Sequence, residues 1–116
     1  MDVRNPAVDA TLAALADPTR RAVVDLLRQR PRRAGELAAA VALSAPAMSK
    51  HLKVLRVCKL IEQELDEQDA RIRIYRLRRQ PFDALEDWLH QVQALWTDQL
   101  GAFKAHVDGL QGKPEA

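Results

Sequence analysis

Apolar residues recur along this chain at two periods, and the change between them divides it into elements. From Pro6 to Ala16, Val8, Leu12 and Leu15 return at helical spacing and mark one apolar face of a short helix. Asp17-Pro18 closes that helix and opens the next. An aspartate accepts backbone N–H bonds as an N-cap, and proline suits the first helical position because its missing N–H would find no partner there. The second helix runs to Leu27 or Arg28, with Ala22, Val23, Leu26 and Leu27 inward. Arg30-Pro31-Arg32-Arg33 reads as a basic turn, since Pro31 stops a continuing helix. Gly35 to Val41 is a short third helix with Leu37 and Val41 on one face, and Ala42-Leu43 is the turn after it. Ser44 then caps a fourth helix, Ala45 to Val57, whose core stripe is Met48, Leu52 and Leu55. Ser49, Lys50, Lys53 and Arg56 lie off that stripe, so this helix buries one side and offers a hydroxyl and three cations on the other.

The period then shortens to two. Leu60–Asp66 and Arg71–Leu77 read as strands, joined by the polar Glu67-Gln68-Asp69-Ala70 at hairpin length. Alternation in the second strand predicts Ile72 and Ile74 inward, with Arg71, Arg73 and Tyr75 on the solvent side. Pro81 opens a last helix reaching about Val107. Phe82, Leu85, Leu89, Val92, Trp96, Phe103 and Val107 make its apolar stripe, sustained over about seven turns. Gly109 to Ala116 has glycine, proline and no period, so the folded domain is placed at 6–108 and a disordered tail is expected at 109–116.

Composition narrows the classes. A chain of 116 residues with 47% apolar residues holds one packed domain. No apolar run approaches the roughly 20 residues of a membrane helix, which excludes a transmembrane span and leaves no membrane partner to expect. The opening residues lack an apolar signal core and Cys58 is the one cysteine, so no disulfide forms within a chain and the reducing cytoplasm is the expected compartment. Charge is unevenly spread: net −2 over residues 1–19, +8 over 20–79 and −4 over 80–116. A basic middle attracts polyanions, of which nucleic acid is the commonest. Two short helices, a tight turn and a polar-faced helix make a helix-turn-helix, and the hairpin after it makes a winged one. Mainly α with a small β-hairpin is therefore the expected class, and double-stranded DNA the expected partner. The polar-faced helix fits the major groove and its cations hold phosphates.

The strings Leu15-Ala16-Asp17-Pro18-Thr19-Arg20-Arg21, Gly35-Glu36-Leu37-Ala38 and Ser49-Lys50-His51-Leu52-Lys53-Val54-Leu55 resemble those of ArsR-type winged-helix repressors, over roughly residues 8–107. The resemblance implies a homodimer joined through the first and last helices, binding an inverted-repeat operator until an effector relieves repression. Carried over by position, Ala47, Met48, Ser49, Lys50 and His51 occupy the recognition-helix stretch, with Lys53 one turn on, while Arg71 and Arg73 lie on the wing. The interface would be Val8, Leu12, Leu89, Val92, Trp96 and Phe103, a stripe too long for one small core to bury.

The chain also departs from that pattern. The third helix carries no thiol, a lone Cys58 cannot build a two- or three-cysteine metal site, and His90 and His106 do not match the paired metal motif. No metal or other cofactor is therefore expected, and the effector stays open between a small molecule and a redox signal. Lys59 stands where relatives usually have glycine, so a positive φ there carries strain. The acidic tip Asp66-Glu67-Gln68-Asp69 would repel phosphate and turn away, leaving the wing's contacts to Arg71, Arg73 and Arg76. Trp88 and Trp96 read as dimer-core packing. No phosphate loop, Ser–His–Asp pattern or HExxH motif points to an enzyme. Two other readings fit the same residues: a winged-helix protein-interaction module, and a thiol- or metal-responsive sensor using Cys58 or His90 and His106.

Overall fold

A computed structural model describes residues 4–111. The elements are α1 Pro6–Leu15, α2 Pro18–Gln29, β1 Arg32–Arg33, α3 Ala34–Ala40, α4 Ala45–Val57, β2 Ile61–Leu65, β3 Arg73–Leu77 and α5 Arg79–Gln111. They fall into two compact units, one reaching to Leu85 and one beginning at Glu86.

Local chemistry sets the helix starts in the first unit. The side chains of Asn5, Asp17 and Ser44 accept the backbone N–H of Val8 at 3.3 Å, Arg20 at 2.9 Å and Ala47 at 3.3 Å, each with a proline in the first turn that follows. The end of α1 is closed from α2: Arg20 Nε donates to the Ala14 carbonyl and an Arg21 Nη to that of Leu15, both at 2.7 Å. The ends of α3 and α4 are built alike. Leu43 N–H donates to Ala38 O and Leu60 N–H to Leu55 O, both at 2.9 Å, the six-to-one bond of a Schellman turn. The residue before each donor is left-handed, Ala42 at φ 56° and Lys59 at φ 63°. Glycine takes that conformation without steric cost; alanine and lysine do not.

The basic stretch read as a turn contains a strand. Arg32 pairs with Tyr75 and Arg33 with Ile74, so the sheet has three strands in the order β1-β3-β2 rather than a bare hairpin. Two residues carry no readable period, but Pro31 pushes the preceding Arg30 into extended backbone, and the pairing follows from there. In β3 the expected faces are exchanged. Tyr75 is 8% exposed and joins the core with Leu77, while Ile74 is half-buried on the other face. Apolar residues stand at both parities of this strand, so alternation did not decide which face the core takes. Arg73, by its parity, shares the Tyr75 face and lies beyond the core's edge.

The core sits between α2, α3, α4 and the sheet, around Val23, Leu37, Leu55 and Leu60, all at 0% exposure. The inward row of α1 is Val8, Thr11 and Ala14, not Val8, Leu12 and Leu15. Thr11 is buried at no polar cost because its hydroxyl donates to the Ala7 carbonyl at 3.0 Å. Leu12 stays 42% exposed and Leu15 half-buried.

The second unit is the continuation of α5. It runs beyond Val107 through Gly109 to Gln111, so those residues of the expected tail are helical, and 112–116 lie outside the described residues. One glycine inside a helix costs only about 1 kcal/mol, too little to end it. Leu89, Val92, Trp96, Leu100 and Phe103 are all exposed along this helix.

Candidate nucleic-acid interface

α3, the turn at Val41–Ser44 and α4 form the helix-turn-helix, and β2–β3 follow as the wing. Met48, Leu52 and Leu55 bind α4 to the core, which turns Ser49, Lys50, Lys53 and Arg56 outward, all exposed. Ala47 is half-buried. Met48 is 1% exposed, so its side chain belongs to the core and presents nothing to a ligand; its place in the core stripe decides the matter. His51 is also drawn inward. Its Nδ1 lies 3.8 Å from Asp17 Oδ2, the carboxylate that caps α2. That carboxyl is held below the usual carboxylate range, chiefly by the Arg20 backbone N–H, against partial desolvation and with help from His51.

The wing's charges are mostly spent within the wing. Asp69 accepts Arg71 Nε at 3.1 Å, an Arg71 Nη at 3.2 Å and the Arg71 backbone N–H at 3.0 Å. The Arg71 side chain accordingly holds the Asp69 carboxyl below its ordinary value. Asp66 is paired with Arg33 at 3.4 Å and accepts the Gln68 backbone N–H at 3.2 Å, and Arg76 is paired with Glu64. The tip is therefore less repulsive than its sequence suggests, and its arginines are less available. Arg71 and Arg76 were expected to act together with Arg73, yet Arg73 alone of the three has no ion pair among the described residues. Lys50, Lys53 and Arg56 are in the same state among the described residues, as are Lys59 and Lys104 elsewhere, so α4 carries three such cations side by side.

Sequence reasoning placed Arg56 on this face and missed Gln63. A cleft of about 480 Å³ between α4 and β2 is lined by Ser49, Lys53, Arg56, Gln63 and Tyr75 among others. Arg56 was legible as a polar-face residue one turn beyond Lys53. Gln63 was not, because its place depends on β2 register; its Oε1 is buried without a hydrogen-bond partner among the described residues.

The remaining candidates lie elsewhere. Val8 is 2% exposed within this single chain, so it packs inside the first unit and is not a surface for a second copy. Leu12 in the first unit, and Leu89, Val92, Trp96 and Phe103 in the second, are exposed. Cys58 is half-buried at the C-cap of α4, and His90 Nε2 lies 3.8 Å from Glu86 Oε1 on an exposed helix face. Among the described residues, no three His, Cys, Asp or Glu side chains gather as metal ligands, and no helix is long and apolar enough to cross a membrane.

Residues 17–63, the span from the α2 cap into β2, match the family described as bacterial regulatory protein, arsR family. The chain is 37% identical over 100 residues to the HTH-type transcriptional regulator Rv2034 of Mycobacterium tuberculosis, covering 86% of this chain and 88% of that protein. It is 40% identical over 48 residues to the transcriptional repressor SdpR of Bacillus subtilis, covering 41% of this chain and 53% of that one. A crystal structure of the ArsR family transcriptional regulator RHA00566 superposes with a TM-score of 0.70 at 34% identity, over 78% of this chain and 97% of that chain.

Proposed function

The chain belongs to the arsR family of bacterial regulatory proteins and is a DNA-binding transcription regulator, and from that premise we propose that it is a homodimeric repressor of an inverted-repeat operator, acting without a catalytic step. The observation that carries this reading is α4: one stripe buried in the core, and Ser49, Lys50, Lys53 and Arg56 exposed on the other, without ion pairs among the described residues. Such a helix enters the major groove with its N-terminal half at base edges, while its cations replace counterions on phosphates. Arg73 adds the wing's phosphate contact. Repression is supported by the likeness to SdpR, whose name is that of a repressor. A second copy is supported by the exposed apolar stripe of α5.

The test is binding of the protein to an inverted repeat from its own promoter and to random duplex, over a salt series. Affinity for both should fall steeply with salt, by about 0.9 in log–log slope per phosphate neutralised. Lys50→Ala should lower preference for the operator as well as affinity. Arg73→Ala should weaken operator and random duplex alike, with the slope reduced by about one unit. Absence of DNA binding at low salt would favour the protein-interaction reading instead. Loss of operator preference in Arg73→Ala, with random-duplex affinity kept, would assign sequence reading to the wing.

A further inference from the structure

The fold also gathers cations at a place the DNA reading does not use. At the end of β3 far from the hairpin tip, the C-terminus of α2, the turn after it and the start of α5 surround a cleft of about 470 Å³. Arg28, Arg30, Arg76, Arg78 and Arg79 line it, and no carboxylate does. The cluster follows from the topology. Arg28 and Arg30 flank the end of α2, and Arg76 to Arg79 span the passage from β3 into α5. Pairing of Arg32 with Tyr75 stitches the two segments together.

Five like charges around one concavity repel, so their compensation decides what the cleft can do. Asp25, Glu36 and Asp83 reach Arg28, Arg30 and Arg79 from outside the lining, at 3.3, 3.0 and 3.5 Å, and Glu64 pairs with Arg76. These are exposed pairs that contribute little to stability, so a better acceptor can displace them. Among the described residues Arg78 has only a neutral side-chain partner, Gln80 Oε1 at 3.0 Å, while its backbone N–H, bonded to Leu60 O at 2.9 Å, fixes its place. The Arg76 guanidinium is held by Glu64 through an Nη, but its Nε is buried without an acceptor among the described residues, and an unpaired buried donor is destabilising until one is supplied. Leu27 and Phe82 add an apolar wall.

A concave arginine cleft with an apolar wall suits a small anion with an apolar part. We propose that this cleft binds a small organic polyanion, a phosphorylated or polycarboxylate molecule with an apolar part. Guanidinium forks grip its charged groups in bidentate fashion, and Phe82 packs against the remainder. The proposal is independent of operator binding, so either can fail alone.

The probes are phenyl phosphate, inorganic phosphate and citrate, titrated calorimetrically into the full chain at constant ionic strength. Saturable binding in the millimolar range or below is expected, with phenyl phosphate tighter than inorganic phosphate. Arg78→Gln and Arg28→Gln should each weaken it about tenfold, the loss of one charge-assisted contact, while Lys50→Ala leaves it unchanged. Phe82→Ala should remove the preference for phenyl phosphate. Where that variant does not fold, Arg28→Gln, on an exposed side chain, carries the test. A phenyl phosphate affinity above that of citrate assigns a phosphorylated ligand, and the reverse order a polycarboxylate. Three results overturn the proposal: no saturable binding of any probe; binding that Lys50→Ala abolishes and Arg78→Gln does not; or Arg28→Gln and Arg78→Gln lowering duplex affinity with no anion bound, which makes the cleft a track for flanking DNA.

Discussion

Lys59 shows how much a single position can be read from sequence and what it costs. Its place after α4, where the family resemblance implies glycine, predicts a positive φ, and the structure has φ 63°. The Schellman bond from Leu60 to Leu55 enforces that backbone because Leu60 is needed in the core. Lys59→Gly should therefore stabilise the fold by about 1 kcal/mol, the left-handed penalty of a residue with a Cβ, less glycine's added freedom when unfolded. Chemical denaturation of the two proteins checks it, and an unchanged midpoint would mean the turn bears no strain. Asp69 was legible only in part: its charge was, its partner was not, since an aspartate two residues before an arginine does not announce a three-bond clamp. Because that clamp occupies Arg71, Asp69→Asn should free a cation while keeping an amide oxygen for the Arg71 backbone N–H. Affinity for any duplex should rise and the salt slope steepen by about one unit. A variant with the parent's slope would show that Arg71 cannot reach phosphate even when released.

At the scale of elements, helices were legible because two signals coincided, a cap and a period. α2 and α4 begin where Asp17-Pro18 and Ser44 with Pro46 place them. β1 was invisible because two residues have no period, and the faces of β3 were misread because both parities offered apolar side chains. α1 was misread for a related reason: Thr11 buries well once its hydroxyl bonds the Ala7 carbonyl, and composition gives no hint of that. The junction of α1, α2 and α4 turns on Asp17, which caps α2 and faces His51. Its carboxyl is held below the usual carboxylate range in the folded state. A depressed carboxyl contributes stability that is fully present above the unfolded value, about 3.9, and is lost as pH falls through the folded one. Asp17→Asn retains a capping oxygen but does not titrate. Its deficit in melting temperature should be largest near neutral pH and vanish in strong acid, where the parent carboxyl is protonated too. A deficit constant with pH would assign the loss to cap geometry rather than to charge.

For the whole molecule, charge and apolar surface divide the work. The basic stretch 20–79 carries the helix-turn-helix and wing, and the acidic stretch 80–116 carries the long helix. Leu89, Val92, Trp96, Leu100 and Phe103 recur there at spacings of three and four, the pattern of a helix meant to lie along another. They are 43–67% exposed, so burial against a second copy gains about 1 kcal/mol per side chain, about 10 kcal/mol for the ten of a symmetric pair. Association costs about 4–15 kcal/mol. The balance is close enough that one residue decides it. Trp96 is 61% exposed and is the largest of the five, and Trp96→Asp loses its burial twice and places two carboxylates on the shared surface. Sedimentation should find the parent dimeric and the variant monomeric at micromolar concentration, with each chain's helical content unchanged. An inverted repeat is held by two half-site contacts on one body, so the monomer should lose operator affinity far more than affinity for a single half-site. A dimeric Trp96→Asp protein would move the interface off this stripe, and a monomer that still held the full operator as tightly as the parent would show that one copy suffices.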